Sequence, residues 1–392
     1  TNMSWHPNGR DVLISYGGGI HSVNTVTGKS KEIKFAAKVK REIKGTVRFK
    51  VEVPQESSKT RSHRWSQQTP AGILYESLGD LYLKNGSKLK NLTESDDHET
   101  SPFYDPKSRK IYFASWNDRD MGSVFQMDLT GNKKKKITTV PSQYGSITVS
   151  RDGALYYIRG RGSLINGQRL EKQTDFELVS NIDGKETKLS TINWSGNRYA
   201  KRPPVIHVAG NGNIYYSDYV NDVLTIKSIS GQGLNEKEII RFSHATRAVI
   251  SPDMQWVAFR EYHRSYVTPF EFAGKTYSVS AEDGLGFSQR VDIQNDGDFM
   301  RWSKDSKRLL WTRGKYHYEK SLNAILDKKS KVTKTDLSIA YEVDNPGSVV
   351  LFKNVRVLTM NQDKDILEGV TILIRNNKII SVGDNEIGRA HV

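Results

Sequence analysis

One short device recurs along this chain and limits what it can fold into. In Val249–Arg260, VISPDMQWVAFR, the triplet Ser251-Pro252-Asp253 has turn chemistry: proline presets φ and the aspartate can bond its own backbone. Trp256-Val257-Ala258-Phe259 is then a short apolar, β-favouring run. The same shape returns in Trp5–Ser15, Thr69–Ser77, Tyr104–Ser115, Val149–Ile158, Val208–Ser217 and Trp302–Trp311, which makes seven copies at intervals of roughly 35–65 residues.

Several copies continue in one way. A second strand follows, then a turn, then a third, as in Ile111–Thr139, Ile73–Thr93 and Val12–Phe35, with Gly28, Gly86 and Gly131 in the last turn. A small antiparallel sheet per repeat, without helical periodicity between repeats, predicts an all-β fold. The expected form is a β-propeller of four-stranded blades with about six to seven repeat units. A β-solenoid is the alternative. Helix signals are nearly absent before Ser321. Ala36–Ser62, with strand-like alternation in Thr46–Val53, reads as an inter-blade extension. Arg159–Lys188 begins with a polar insertion before the blade resumes at Leu178-Val179. The polar residues 314–343 read as a final strand plus linker.

Composition narrows the function classes. With 36% hydrophobic and 10% aromatic residues, the 392-residue chain can bury a core and is not wholly disordered. Mean hydropathy is −0.61 and no run approaches the ~18 apolar residues of a membrane helix, so no membrane span is expected. The absence of cysteine excludes disulfides, cysteine-ligated zinc and a cysteine nucleophile. The net charge of +15 invites a nucleic-acid reading, but the lysines are spread through turns. The dense run Lys133–Lys136 falls in a predicted hairpin loop, so solvated loops are expected and no specific nucleic-acid partner.

The repeats resemble TolB-like β-propellers, whose blades carry a Ser-Pro-Asp-Gly turn before a strand. The glycine stands at Gly9, Gly72, Gly153 and Gly212 and is replaced at Ser108, Met254 and Ser306. That resemblance covers roughly residues 1–343. The chain changes character at Ser348. Phe352–Met360, Leu367–Ile374 and Lys378–Gly383 resemble the opening strands of a metal-dependent amidohydrolase, which implies residues 344–386 as the start of its small β-domain. Asp96-Asp97-His98-Glu99 and Arg260–Phe270 also fit the group that joins such a propeller to an amidohydrolase.

The resemblance implies a parent enzyme, bacterial and periplasmic or secreted, that hydrolyses C–N bonds in amide, cyclic amide or dipeptide-like substrates. A zinc-like divalent metal would sit in a barrel, which is also this segment's expected partner. The family's His-x-His does not occur here, so no catalytic, cofactor-binding or metal residue is carried over. The chain reads as a fragment truncated at both ends, inactive by itself. Ile387–Val392 has no family counterpart and reads as a non-native tail. The alternatives are a TolB-like protein-interaction propeller, or the propeller of a prolyl-oligopeptidase-like peptidase acting on peptides. Ser348–Asn385 argues against the peptidase.

Individual residues allow sharper readings, each beside an ordinary one. Asp96, Asp97, His98 and Glu99 could bind a cation, or form an exposed inter-blade loop. His263 could line the channel, or end a strand. His6 and His21 read as surface or turn residues. Trp65, Trp116, Trp256, Trp302 and Trp311 could stack on a ligand, or pack blades together. Asp118, Arg119 and Asp120 could pair with a charged substrate, or cap a hairpin.

Overall fold

The computed structural model describes residues 3–42, 56–162, 165, 167, 174–194, 203–271, 274–281, 291–293, 297–329, 331–344, 347–361, 363 and 365–383. The alternating stretch Thr46–Val53 of the expected extension and the tail Ile387–Val392 lie outside them, as does most of the polar insertion after Arg159. The chain divides into two units, Thr1–Val53 and Pro54–Val392.

The first unit holds one four-stranded antiparallel sheet: Met3–Trp5, Asp11–Tyr16, Gly19–Asn24 and Ser30–Ile33. Its opening turn closes through the His6 N–H, which donates to the Asp11 carbonyl at 2.8 Å.

The second unit is a β-propeller of six antiparallel sheets in chain order. The blades span residues 64–91, 98–136, 144–193, 206–242, 245–292 and 298–336. Each copy of the device joins the innermost strand of its blade to the second strand. In blade 5 the Ser251 hydroxyl donates to Asp253 Oδ1 at 2.5 Å and accepts from the Trp256 N–H at 2.9 Å. Blade 6 repeats this with Ser303, Asp305 and Arg308.

The fourth device position is left-handed at Gly153, Gly212, Met254 (φ 61°) and Ser306 (φ 58°), where glycine is least strained. Both non-glycine residues gain contacts there. Met254 packs on an apolar cluster, and the Ser306 hydroxyl accepts the Asp253 N–H from the neighbouring blade at 2.9 Å.

The cores lie between blades. Leu74, Leu81 and Leu83 of blade 1 meet Ile111, Phe113 and Met127 of blade 2. Val249, Ala258 and Val267 of blade 5 meet Trp302, Leu309 and Trp311 of blade 6. Alternate residues of a strand point to opposite faces, and both faces of a blade meet a neighbour. This explains why Ile214–Val220 is buried almost along its whole length.

Two expectations need correction. Residues 314–343 are more than one strand and a linker: Tyr316–Ser321 and Thr333–Asp336 complete blade 6, with a short helix Leu322–Leu326 between them, N-capped by Ser321. Periodicity there is hidden because Tyr316, Tyr318 and His317 place large side chains on both faces. Blade 4 also gains a fifth strand. Tyr277–Val279, part of an insertion in blade 5, pairs in parallel with Lys237–Phe242.

The ring is closed, which excludes a solenoid. Blade 1 and blade 6 each come from one continuous run, so no blade is shared between the chain ends. A clasp holds the junction instead. Ser57–Lys59 pairs with Ala340–Glu342, and Ile73, Tyr75 and Tyr82 of blade 1 pack on Leu337 and Ile339. The Tyr75 hydroxyl donates to the Leu337 carbonyl at 3.0 Å.

Residues 349–383 form a separate three-stranded sheet, Val349–Leu358, Ile366–Arg375 and Lys378–Gly383. Asn376 and Asn377 take positive φ in its second turn, as an Asn-Asn pair permits.

Candidate functional site

The chemistry-bearing side chains gather at blade junctions. At the ring's closing seam the Ser66 hydroxyl meets His317 Nδ1 at 2.7 Å, and His317 Nε2 meets Glu319 Oε1 at 3.1 Å. Alternation along Tyr316–Ser321 places His317 and Glu319 on the face turned to blade 1. Glu319 also accepts from Gln68 and, at 3.0 Å, from Arg308. Burial pushes its carboxyl up, but hydrogen bonds from His317 and Gln68 outweigh burial and hold it below the usual range.

Serine, histidine and carboxylate in hydrogen-bond order can activate a hydroxyl for acyl transfer. Here Ser66 is 0% and His317 1% exposed, so a substrate carbonyl has no approach. The relay is a lock between the first and last blades. Sequence reading missed it because its members are 251 residues apart.

A second cluster forms where blade 1 meets blade 2. Glu99 is fully enclosed, which departs from the expected exposed loop. Its Oε1 accepts from Ser95 at 2.8 Å and Ser115 at 3.4 Å, with the Lys134 ammonium at 3.5 Å. Burial pushes this carboxyl up, against the pull of Ser95 and Lys134. Asp97 accepts from Ser115 and Asn117, each at 3.1 Å. His98 lies beside Gly79.

These acids do not converge on a cation, and no group of three or more His, Asp or Glu able to hold a metal occurs among the described residues. The zinc-like ion that the amidohydrolase resemblance implies belongs to a barrel, so these residues do not bear on it. Lys134 is likewise not an idle loop lysine. Its ammonium also lies over the Phe125 ring, 4.9 Å from the centroid, and Lys135–Lys136 is a strand of blade 2.

The remaining candidates are structural. Trp65 packs on Phe299 across the seam, with centroids 4.9 Å apart. Trp311 stacks on Tyr318, Trp302 Nε1 donates to the Val249 carbonyl at 3.0 Å, and Trp116 Nε1 donates to Asp118 at 2.9 Å. Trp256 packs partly buried on the blade 5–6 cluster. Together they join or brace blades and form no common platform. Asp118, Arg119 and Asp120 form a hairpin tip held by Asn117 Oδ1. His263 sits in the exposed hairpin between Trp256–Glu261 and Arg264–Pro269. In the first unit His6 accepts the Asn8 N–H in a turn, and His21 stacks on Tyr16.

The three-stranded sheet has two unlike faces. Thr371 and Leu373 are enclosed on one. Register places Val350, Phe352, Ile372, Ile374 and Val382 on the other, beside the bulged pair Ile379 and Ile380. Phe352 is 49% and Ile380 52% exposed. No helix among the described residues is long and apolar enough to cross a membrane.

No family model matches the chain. No curated protein matches it. Among solved structures it is similar to a TolB from Acinetobacter baumannii, at 10% identity and a TM-score of 0.46, over 87% of this chain and 78% of that one. A putative TolB from Agrobacterium tumefaciens is similar at 14% identity and a TM-score of 0.43, over 60% of this chain and 97% of that one. A prolyl endopeptidase is similar at 12% identity and a TM-score of 0.41, over 96% of this chain and 54% of its own length. The propeller assignment rests on the strand order and the closed seam of this chain.

Proposed function

We propose that the protein is a docking scaffold, with the closed ring as a rigid body and the three-stranded sheet as a contact face. The observation behind this reading is the open apolar face of Val350, Phe352, Ile372, Ile374 and Val382. Contiguous exposed apolar surface of this kind marks interaction sites. The polar clusters of the ring are enclosed and serve its integrity, so they favour a binding role over chemistry within the blades. A protein-interaction role, in the periplasm or outside the cell, is what the TolB-like sequence resemblance implies.

The test is binding of a fluorescent apolar dye, with size-exclusion chromatography across a concentration series. The intact chain is expected to bind dye or self-associate, and Phe352→Asp to lose both while the far-ultraviolet spectrum of the ring is unchanged. Equal behaviour of the two proteins would remove the proposal.

A second reading is favoured by one coincidence: the three strands fall on the residues that resemble an amidohydrolase opening. In that reading the apolar face seats a metal-bearing barrel, and the residues of this chain hold position rather than perform hydrolysis. A His-x-His soon after this segment in the source gene is its expected sign. Amide hydrolysis by the pure 392-residue chain would overturn it.

A further inference from the structure

His63 lies behind the clasp that closes the ring and is 2% exposed. Its ring meets that of Tyr75 edge-on, with centroids 5.2 Å apart, and the Tyr75 hydroxyl holds the Leu337 carbonyl. Its Nε2 is 3.4 Å from the Thr60 hydroxyl oxygen. That oxygen accepts the Ile339 N–H at 2.9 Å, while the Thr60 N–H donates to the Ile339 carbonyl at 3.0 Å. His63 therefore touches the two residues, Thr60 and Tyr75, that tie the returning segment 337–339 to blade 1.

A neutral ring suits this place and a charged one does not. With its oxygen accepting from Ile339, the Thr60 hydroxyl is left to donate its own proton to Nε2, which must then be unprotonated. Nδ1 is enclosed and lacks a partner. A second proton would set Nε2 against the Thr60 proton and leave a buried charge unpaired. Asp336 of blade 6 is the carboxylate that favours the imidazolium, but Lys315, at 2.7 Å, and Ser338 already engage it. Lys84 of blade 1 opposes the charge. The remaining titratable groups around the ring are Tyr75, Tyr82 stacked on it and, along the chain, the exposed Arg61 and Arg64, the latter facing Glu76 at 3.8 Å. Burial outweighs the pull of Asp336 and pushes His63 down to about 4.

The clasp is the part of this junction that can yield. Ser57–Lys59 and Ala340–Glu342 form a short, largely exposed pairing, extended by the Val343 N–H, which donates to the Glu56 carbonyl at 2.9 Å. Such pairings open locally at lower free energy than a packed core. The contact of Ser66 with His317 joins the same two blades separately, so the ring keeps one junction when the clasp opens.

We propose that the clasp is an acid-released latch: protonation of His63 detaches residues 337–343 from residues 56–60 while the six blades stay folded. The open clasp exposes His63 to water, where it takes up a proton near pH 6.5, whereas the closed clasp keeps it neutral down to about pH 4. The latch is thus closed above pH 6.5 and opens progressively as pH falls toward 4. The open-to-closed ratio rises about twentyfold from pH 7 to pH 5. The device does not depend on what the three-stranded sheet binds.

The test is hydrogen exchange of the full 392-residue chain at pH 7, 6 and 5, read on peptides by mass spectrometry with intrinsic amide rates divided out. Peptides carrying the Ile339 and Val343 amides, which donate across the clasp, report its opening. Trp256–Glu261 of blade 5 reports the ring. Clasp opening should rise about twentyfold from pH 7 to pH 5, with blade 5 changing by less than about twofold. His63→Phe should abolish the rise. His63→Gln, polar and unable to titrate, should do the same, and either variant serves where the other does not fold. His263→Gln, in an exposed hairpin, should keep the full rise. An equal rise at the clasp and in blade 5 would overturn the latch, because acid would then be unfolding the whole ring. A flat clasp response in the wild-type protein, or a full rise in His63→Gln, would overturn it too.

Discussion

The Ser66 hydroxyl and His317 Nδ1 lie 2.7 Å apart although 251 residues separate them in the chain. The contact joins the innermost strand of the first blade to the third strand of the last. Removing one partner of an enclosed pair leaves the other unsatisfied, which costs about 1–3 kcal/mol. Ser66→Ala should therefore lower the unfolding free energy by that amount, seen as a lower urea midpoint with the slope of the transition unchanged. An unchanged midpoint would mean that the seam is held by its apolar contacts alone.

Two glycines should respond in opposite ways to alanine. A Cβ on Gly297 would lie 2.1 Å from the Thr312 carbonyl oxygen and 2.8 Å from Trp311 Cδ1. Backbone cannot yield as a flexible side chain can, so Gly297→Ala should cost about 1–3 kcal/mol or more. Gly210 has only the far end of Arg151 near it, at 3.9 Å. Gly210→Ala should be neutral or stabilise by about 0.4–1 kcal/mol, through the unfolded chain. Thermal denaturation of both variants distinguishes the two cases.

Stability should fall on mild acidification. Burial pushes His207 down to about 4, and burial does the same to His63 against the opposing charge of Asp336. Unfolded histidine takes up its proton near pH 6.5, so between pH 6.5 and 4 the unfolded state binds more protons. Stability is fully present above 6.5 and is lost toward pH 4, at up to about 1.4 kcal/mol per pH unit for each histidine. Glu76 and Glu99, raised chiefly by burial, act with the opposite sign. His63→Phe should flatten the decline, measured as unfolding free energy from pH 7 to 4.5. A parallel curve would assign the loss to other groups.

The net charge of +15 should give only diffuse attraction to nucleic acid. Binding to duplex DNA, followed by anisotropy, is expected at about 50 mM salt and lost by about 200 mM, without preference among sequences. Retention at the higher salt would point to an organised cationic face.

Local order was legible because its causes are local. The Ser251-Pro252-Asp253 turn and its relatives use hydrogen bonds spanning two to five residues, and each of the seven copies joins the first two strands of an antiparallel sheet, four-stranded except in blade 4. The three strands from 349 to 383 were legible for the same reason. Pattern reading failed where burial comes from another blade. Glu99 sits in an acidic run that looks solvated, yet Ser115 and Lys134 enclose it. Tyr277–Val279 carries no sign that it will pair with blade 4, because its partners lie in an earlier repeat.

The sequence by itself determined a set of antiparallel sheets in chain order, each opened by a turn whose bonds act within six positions, with a serine hydroxyl and an aspartate in blades 3, 5 and 6. Tertiary structure alone decided that six of them close on themselves, and which polar groups that closure would bury. Ring closure requires residues such as Ser66 and His317 to meet after the whole ring has been laid down. No pattern of period two records which distant strand will arrive, nor that Glu99 will be enclosed beside Ser115 and Lys134.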